Sequence, residues 1–264
     1  MTPNPRQHRL LAYVRGQQSS TVDELAARLG VTAQTIRRDV QRMAEAGLLA
    51  RFHGGVSIPS STTENLAHTQ RETLNAPGKR RIADTVARAV PNGCSLFINI
   101  GTTTEAIARA LMRHTGLHVV TNDLNVAATL SRNRGCEVIV AGGVVRPRDG
   151  GIVGEATIDF IRQFKVDIAL IGISSIEADG SLRDYDYREV KVSQAIIAHA
   201  REIWLAADTT KFNRRAMVKV ADIAQIDQLF TDAALPDPFP ALLAQANVHC
   251  NIAESAGRSR AEST

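Results

Sequence analysis

Residues 32–40 have the sequence Thr32-Ala33-Gln34-Thr35-Ile36-Arg37-Arg38-Asp39-Val40. The Thr32 hydroxyl can accept hydrogen bonds from the free amides of a first helical turn. Ile36, Val40 and Met43 recur at helical spacing, which predicts that they face a core. The exposed face then keeps polar side chains that can pair with bases or phosphates: Gln34, Thr35, Arg37, Arg38 and Arg42. A short charged run is also typical of an ordinary solvated helix face, so the flanking sequence must decide between the two interpretations.

Two predicted helices precede this segment. Residues 6–15 place apolar side chains at helical spacing, and Gly16 is expected to end that helix. Thr21-Val22-Asp23-Glu24 fits a capping box that opens a second helix, which Gly30 stops. A short helix, a glycine turn and a helix with a polar first turn are typical of a helix-turn-helix. We therefore interpret residues 33–45 as a recognition helix.

A small β-ribbon is predicted directly after the recognition helix. Residues 48–52 and 56–58 are short strand-like runs around the turn His53-Gly54-Gly55. Such a ribbon would form a wing beside the helices. Residues 59–78 are mostly polar and are predicted to be a linker that becomes partly helical.

The positive charge of the chain is concentrated around this motif. Residues 1–57 carry eight arginines against four acidic residues, an excess that equals the formal net charge of +4 of the whole 264-residue chain. The remaining residues are balanced. A small basic domain joined to a neutral larger one is the charge pattern of a DNA-binding protein with a separate sensory or catalytic part.

Other classes of protein are disfavoured by the sequence. It has no run of about 18 apolar residues and no apolar signal core at its start, which predicts a cytoplasmic protein without a membrane segment. Cys94, Cys136 and Cys250 lie far apart and form no metal pattern with histidine, so we expect them to be reduced and structural. No cofactor or metal is predicted.

The N-terminal motif resembles the DeoR-type winged helix-turn-helix signature. The residues that carry the resemblance are Arg6, Leu10, Val14, Thr32, Thr35, Ile36, Arg37, Arg38, Asp39 and Val40. The resemblance implies that the helix over 33–45 enters the major groove and that the wing lies near the DNA backbone. Asp39 is expected to position an arginine, because its charge would repel phosphate. The DNA contacts predicted in this way are Thr32, Gln34, Thr35, Arg37, Arg38, Arg42, Arg51, His53 and Gly54.

From residue 79 onward, short apolar strands alternate with helical segments. Strands are predicted at 94–100, 118–121, 137–141, 166–171 and 203–207. Near-continuous apolar strands separated by helices indicate a mostly parallel sheet with helices on both faces. Later apolar runs at 217–220, 228–231 and 248–251 extend the sheet or build a small subdomain. The predicted division is a winged helix-turn-helix over 1–58, a linker over 59–78, an α/β domain over 79–252 and a flexible tail over 253–264.

Polar loops follow several of the predicted strands. Gly101-Thr102-Thr103-Thr104 follows one strand and opens a helix, an arrangement that can hold a phosphate at the carboxyl end of a strand. An ordinary strand-to-helix turn has the same pattern, so it is not specific alone. Open sheets gather ligands at such ends, although Asn, Asp and Gly also favour turns. The other loop residues at this edge are Asn122, Asp123, Gly142, Gly143 and Ser174.

Two further segments are predicted to place charged side chains near the same edge. Residues 184–191 combine acidic and basic side chains with two tyrosines just before a predicted helix. Lys211 follows the strand over 203–207 and would suit a phosphate or a hydroxyl. The alternatives are a charged helix entry and an exposed surface lysine.

The chain from residue 79 also resembles the sugar-phosphate-sensing domain of DeoR repressors, which is similar in fold to ribose-5-phosphate isomerase. By this resemblance Gly101 to Thr104, Glu189 and Lys211 match positions that surround the sugar phosphate in the isomerases. Ser174 and Ser175 stand where the isomerases carry carboxylates. Proton transfer between sugar carbons needs positioned acid and base groups, so their loss predicts binding without turnover and a protein that is not an enzyme.

The resemblance implies a repressor that leaves operator DNA when a sugar phosphate or small polyol phosphate binds. Residues 184–190, 192–197, 208–212 and 216–218 look most like family members that respond to glycerol 3-phosphate, the expected effector. The predicted effector contacts are Gly101, Thr102, Thr103, Thr104, Asn122, Asp123, Gly142, Gly143, Ser174, Asp186, Glu189 and Lys211.

Several alternatives stay open at this point. The protein could be a DeoR-type regulator of a different sugar phosphate or an activator. It could also be a sugar-phosphate isomerase with a DNA-binding appendage, or a constitutive binder without an effector. A homodimer or homotetramer is expected, because paired half-sites multiply a modest single-domain affinity, and the sequence does not choose between the two.

Overall fold

The computed structural model describes residues 3–17, 19–52, 55–57, 62 and 65–253. The chain divides into two compact units, Met1–Leu66 and Ala67–Thr264. The tail after residue 253, which we predict to be flexible, lies outside the described residues, as do His53 and Gly54 of the predicted wing.

The first unit contains three helices and a small antiparallel sheet with strand order β1-β3-β2. The helix over 33–45 is confirmed at both ends, and α1 continues through Gly16 instead of stopping there. Strand β1 was not predicted, because three residues are too few to show a strand pattern. The elements are α1 (Pro5–Gln17), β1 (Ser19–Thr21), α2 (Val22–Leu29), α3 (Ala33–Glu45), β2 (Ala50–Phe52) and β3 (Gly55–Ser57).

Local contacts define both ends of α2. The Thr21 hydroxyl accepts a hydrogen bond from the Glu24 amide at 3.1 Å, and the Glu24 carboxylate accepts one from the Thr21 amide at 2.9 Å, which is the predicted capping box. Gly30 then ends α2 at φ 65°, a left-handed conformation that favours glycine. The turn therefore sets the direction in which α3 leaves α2.

The core of the first unit unites the three helices with the wing strands. The apolar stripe of α3 is fully part of this core, as its spacing predicts, and its polar face is left outside. The buried apolar residues are Leu10, Leu11, Val14, Val22, Leu25, Ile36, Val40, Met43, Leu49 and Val56.

The second unit is built on a seven-stranded parallel sheet in the order β15-β14-β12-β9-β4-β5-β6. The mostly parallel sheet is confirmed, and the late strands β14 and β15 extend it. The strands are β4 (Ser95–Ile98), β5 (Leu117–Thr121), β6 (Cys136–Val140), β9 (Val166–Ile171), β12 (Ala200–Ala206), β14 (Gln228–Thr231) and β15 (His249–Ile252).

Helices cover both faces of this sheet. Leu96 and Ile98 of β4 belong to one buried cluster, shared with α5, α6 and α7, whereas Phe97 belongs to a second cluster with α8, α9 and α10. This alternation follows from the two-residue repeat of a strand. The helices are α4 (His68–Thr73), α5 (Ala76–Ala89), α6 (Thr102–Ala110), α7 (Leu124–Leu130), α8 (Glu155–Ile161), α9 (Tyr187–Ala198) and α10 (Phe239–Gln245).

Two small sheets lie outside the main one. The hairpin β7 (Val144–Val145) and β8 (Ile152–Val153) follows β6, and a three-stranded antiparallel sheet joins β10 (Ser175–Ile176), β11 (Ser181–Asp184) and β13 (Val218–Asp222). β13 thus belongs to the subdomain that the sequence left as one of two options for the run over 217–220.

Some boundaries differ from the predictions. The segment over 59–78 was predicted to be a linker that becomes partly helical, and α4 and the first residues of α5 lie in it as part of the second unit. Helix α9 stops at Ala198 because β12 begins at Ala200, two residues later. Across the described ranges, no helix combines the length and apolar character needed to cross a bilayer.

Candidate functional site

The start of α3 is organised by Thr32. Its hydroxyl accepts a hydrogen bond from the Thr35 amide at 3.3 Å, and the two hydroxyl oxygens lie 3.0 Å apart. Thr32 therefore caps the helix, as its residue type predicts. One hydroxyl of this pair remains available at the helix start, where a DNA phosphate would be favoured by the free amides.

The outer face of α3 carries a row of exposed side chains. Gln34, Arg37, Arg38 and Arg42 are all exposed, and Thr35 is half-buried beside them. Within the part of the chain that the structure describes, Arg37, Arg38 and Arg42 form no ion pair. Their guanidinium groups are consequently free to pair with phosphates or guanine edges.

Asp39 is buried beneath this face and pairs with α1. Its carboxylate accepts hydrogen bonds from the Arg6 Nε at 2.6 Å and from the Gln7 Nε2 at 3.0 Å. Burial opposes the charge of Asp39, but these two donors outweigh it and hold the pKa of Asp39 below its usual range. Asp39 thus positions an arginine, as expected, and the partner is Arg6.

Arg51 on strand β2 is tied to the recognition helix. Its Nη1 donates to the Gln41 Oε1 at 2.8 Å, and the Gln41 Nε2 donates to the Glu45 Oε1 at 2.9 Å. The i, i+4 spacing of Gln41 and Glu45 was visible in the sequence, but their contact with Arg51 was not. The contact fixes one predicted wing residue against α3.

The second unit brings most of the predicted effector residues to one edge of the main sheet. Parallel strands point the same way, so the loops after β4, β5, β9 and β12 share their carboxyl edge. The residues concerned are Gly101, Thr102, Thr103 and Thr104 after β4, Asn122 and Asp123 after β5, Ser174 after β9 and Lys211 after β12.

The loop Gly101 to Thr104 opens α6 and is buried. The Thr104 hydroxyl donates to the Gly101 carbonyl at 2.7 Å and closes the turn. Among the described residues, none accepts a hydrogen bond from the amides of Thr102, Thr103 and Thr104 or contacts the Thr103 hydroxyl by a hydrogen bond. Helix starts leave such amides unpaired, and they form a natural anion site.

Asp123 caps the neighbouring helix α7 and links it to this loop. Its carboxylate accepts from the amides of Asn125 at 2.8 Å, Val126 at 3.3 Å and Gly101 at 3.3 Å. Burial and the nearby charge of Glu105 raise the pKa of Asp123 to about 6, although the three amides oppose that shift. The carboxylate is therefore committed to backbone donors.

Glu105 was not predicted as a site residue but lies one residue beyond the loop. Its Oε1 lies 2.7 Å from the His68 Nε2 and accepts from the Asn125 Nδ2 at 3.1 Å. Glu105 is buried, so these partners hold a carboxylate directly behind the helix start. Through His68 they also connect α4 to α6.

Arg146 is the centre of a second network and was missed by the sequence reasoning. It is buried on the hairpin β7–β8 and contacts Asp149 through two bonds of 3.1 and 2.7 Å. Its Nη1 also lies 3.1 Å from the Asp186 Oδ2 and 2.7 Å from the Glu189 Oε2. Asp186 and Glu189 are therefore paired with an arginine and are not free carboxylates.

Asp186 and Glu189, two of the acids that pair with Arg146, have pKa values shifted in opposite directions. Asp186 also caps α9 by accepting from the Arg188 amide at 2.9 Å, and despite burial its pKa stays below the usual range. For Glu189, burial and the charge of Asp184 raise the pKa to about 7, against the opposing effect of Arg146. Glu189 can therefore gain a proton near neutral pH, whereas Asp186 stays charged.

Lys211 is buried beside Asp208 at the end of β12. Burial lowers the pKa of Lys211 to about 7, while the charge of Asp208 opposes that shift. In the described residues no hydrogen bond joins the Lys211 ammonium to a protein group, and the Asp208 Oδ2 is likewise buried without a partner. A buried cation with spare donors is suited to an anionic or hydroxyl ligand.

The remaining predicted residues have structural partners. The Asn122 Nδ2 donates to the Ile152 carbonyl at 3.0 Å, and the Gly142 carbonyl accepts from the Thr157 hydroxyl at 2.8 Å. At Gly143, φ is +148° and an added Cβ would collide with that hydroxyl, so the position requires glycine. These contacts join the hairpin to the sheet edge.

A helix-turn-helix with exposed arginines on its third helix, followed by an α/β domain, is typical of a DNA-binding regulator with a separate sensory part. Residues 6–62 match the DeoR-like helix-turn-helix domain and residues 74–233 match the DeoR C terminal sensor domain. The chain belongs to the DeoR family and is a DeoR-type transcriptional repressor.

Two curated relatives cover most of this chain. The glycerol-3-phosphate regulon repressor of Escherichia coli K12 is 45% identical over 89% of this chain and 93% of its own length. The HTH-type transcriptional repressor CsqR of the same organism is 41% identical over 89% of this chain and 90% of its own length. Both are named repressors, which indicates a regulator rather than an enzyme.

A solved structure of similar fold covers about half of the chain. Ribose 5-phosphate isomerase A from Methanocaldococcus jannaschii aligns with a TM-score of 0.39 and 14% identity, covering 52% of this chain and 55% of the isomerase. A likeness at this level carries no argument about ligand or activity.

Proposed function

We propose that this repressor binds operator DNA through α3 and the wing and is released by a small polyol phosphate, glycerol 3-phosphate. The observation that carries the effector assignment is the buried start of α6, where three amides and the Thr103 hydroxyl have no partner among the described residues. A phosphate group would accept from these donors. The 45% identity to a glycerol-3-phosphate regulon repressor supports the choice of phosphate ester.

The predicted effector residues then divide into two groups. The loop Gly101 to Thr104 and Lys211 would hold the phosphate, because they supply unpaired donors and a positive charge. Asp186 and Glu189, held by Arg146, would accept hydrogen bonds from the hydroxyl groups of a polyol. The remaining predicted residues would form the surface of the sheet edge around the ligand: Asn122, Asp123, Gly142, Gly143 and Ser174.

On the DNA side we propose two kinds of contact. Gln34, Arg37 and Arg38 on the outer face of α3 would reach base edges and phosphates in the major groove. Other residues would contact the DNA backbone and fix the position of the protein along the DNA: Thr32, Thr35, Arg42, Arg51, His53 and Gly54. Because a repressor acts on chromosomal DNA, we propose a cytoplasmic location and a symmetric oligomer that reads paired half-sites.

A different sugar phosphate is the second candidate effector. It is favoured by the CsqR relative, whose 41% identity is close to the 45% of the glycerol-3-phosphate regulon repressor although its name does not refer to glycerol. Both candidates carry a phosphate group, and they differ in the carbon skeleton and hydroxyl groups that would face Asp186 and Glu189. A panel of phosphate esters with different polyol and sugar groups therefore separates them.

Thermal unfolding of the full chain with a phosphate panel tests this proposal. Glycerol 3-phosphate should raise the unfolding temperature at millimolar concentration, because a ligand that binds the folded state stabilises it by mass action. Glycerol and inorganic phosphate at the same concentration should give smaller shifts. A larger shift with a pentose or hexose phosphate would favour the second candidate, and no shift with any phosphate ester would contradict the proposed effector class.

A further inference from the structure

Helix α4 is the first element of the second unit and begins two residues after Leu66. It has six residues, and none of them is buried. Helices of this length are not stable alone in water, and apolar packing usually holds a helix in place. The position of α4 must therefore depend on its polar contacts.

Arg71 lies at the centre of these contacts. Its carbonyl accepts hydrogen bonds from the Lys79 ammonium and, at 3.4 Å, from the Thr102 hydroxyl. Its Nη2 lies 3.6 Å from the Asp149 Oδ2 in the Arg146 network. Thr102 is the first residue of α6, so Arg71 adjoins both halves of the proposed effector site.

The Arg71 guanidinium has donors to spare. Its Nε is buried and has no hydrogen-bond partner among the residues described. The contact to Asp149 is long, and Arg146 already engages both oxygens of that carboxylate. Guanidinium groups carry five N–H donors, and buried donors are nearly always paired. A ligand with several acceptor oxygens would satisfy them.

The charge of Arg71 acts on the other predicted effector residues. Burial is the main reason that the pKa of Lys211 falls to about 7, and Arg71 adds to this shift. Burial likewise raises the pKa of Glu189, and there Arg71 acts in opposition. Arg71 thus stands within electrostatic reach of the groups at both ends of the site.

We propose that Arg71 binds the phosphate of the effector directly and that α4 thereby senses whether the site is occupied. This inference rests on the proposed function of the edge after β4 and β12, and it adds a ligand residue on a different element. Arginine suits this role because its planar fork matches the oxygens of a phosphate.

The position of α4 gives this contact a regulatory consequence. When Arg71 turns toward a phosphate, its long contact to Asp149 is given up, and the carbonyl bonds to Lys79 and Thr102 must adjust. The pair His68–Glu105, 2.7 Å apart, anchors the other end of α4 to α6. Because residues 65–67 directly precede α4 in the chain, a shift of α4 moves the end of the segment that connects it to the first unit.

The variant Arg71→Gln tests the contact. Its affinity for glycerol 3-phosphate should fall roughly 10- to 100-fold by calorimetry, which is the range for losing charge-assisted hydrogen bonds. Arg71→Lys should recover part of the loss. The matched control is Arg81→Gln, since Arg81 also has a buried, unpaired Nε and a long pair to a carboxylate, Asp232, at 3.7 Å. That control should bind glycerol 3-phosphate as the wild type does.

Hydrogen exchange of the wild-type chain tests whether α4 responds to effector binding. Glycerol 3-phosphate should change exchange of the amides in residues 69–74 several-fold. Wild-type affinity in a folded Arg71→Gln variant, or unchanged exchange in α4 at saturating ligand, would overturn this inference and leave the proposed function standing. A wild type that binds no phosphate ester at all would instead overturn the proposed function.

Discussion

The double variant Arg37→Ala/Arg38→Ala should lose sequence-specific DNA binding. Both side chains are exposed on α3 and have no ion pair among the described residues, so their guanidinium groups are available for DNA. Each arginine at a base edge contributes about 1–3 kcal/mol, so the pair should cost at least roughly 30-fold in affinity. Fluorescence anisotropy on a DNA fragment that the wild type selects from a random library measures this loss.

The charge-matched control for the single variants Arg37→Ala and Arg38→Ala is Arg9→Ala on α1. Arg9 is exposed and belongs to the same basic unit, but it is not on the recognition helix. Its removal should change affinity only slightly and uniformly across DNA sequences. If the control and a single Arg37 or Arg38 variant weaken binding equally, α3 has no special role and the DNA-binding assignment is wrong.

The variant Lys211→Met should fail to respond to effector while still binding DNA. The Lys211 ammonium is buried and has no hydrogen-bond partner in the described residues, so a phosphate would be its main partner. Loss of one charge-assisted contact should reduce affinity for glycerol 3-phosphate roughly 10- to 100-fold. Calorimetry measures the affinity, and the DNA complex of the variant should persist at effector concentrations that dissociate the wild-type complex.

The pH dependence of the affinity for glycerol 3-phosphate tests whether the Lys211 ammonium binds the phosphate. With a pKa of about 7 in the folded protein, Lys211 loses its proton above neutral pH, whereas a phosphate monoester with a second pKa of about 6 stays dianionic. Wild-type affinity should therefore fall as pH rises from 7 to 9, and Lys211→Met should lack this slope. Without effector, the wild type's free energy of unfolding should rise between pH 7 and about 10, since the unfolded chain then binds more protons at this lysine.

Lys191→Met is the matched control for Lys211. Lys191 is exposed on α9, with its Nζ 5.2 Å from the centre of the Tyr187 ring, and it is not one of the predicted effector residues. The control should keep both the affinity and its pH slope. Equal behaviour of the two variants would contradict a role for Lys211 in phosphate binding.

The elements that the sequence predicted best are those with a strong local pattern. Helix α3 has a capping threonine and an apolar stripe over its full length, so both ends could be placed. Strands β9 and β14 were predicted without error because buried parallel strands are near-continuous apolar runs. Helix α4 was missed as a distinct element, since six residues with no buried side chain leave no periodic signal.

The candidate sites were only partly predictable for a different reason. Loop residues such as Gly101 to Thr104 could be named because the carboxyl ends of parallel strands meet at one edge. Ion pairs between residues distant in sequence could not: Asp39 was expected to hold an arginine, but nothing local identified Arg6. Arg146 lies in a hairpin of two-residue strands, which is too short for a pattern, although its place after the strand over 137–141 was a usable signal.

The ion pairs of Asp186 and Glu189 were likewise not predictable, because their partner is distant in sequence. Asp186 was named because it lies in a charged segment at the start of a predicted helix, and Glu189 because the resemblance places it beside the sugar phosphate. The structure instead pairs both with Arg146, so any polyol would meet a neutralised network. Arg71 comes from a segment interpreted as linker, and only the fold brings it beside Thr102.

A titration of the DNA complex with effector measures effector-dependent release of DNA. The full chain is bound to its selected DNA fragment at low salt and followed by fluorescence anisotropy while glycerol 3-phosphate is added. We expect anisotropy to fall to the value of free DNA with a midpoint that matches the calorimetric affinity, with no fall on adding glycerol or on titrating the Lys211→Met complex. A complex that stays intact at saturating glycerol 3-phosphate, or that tightens, would contradict the account.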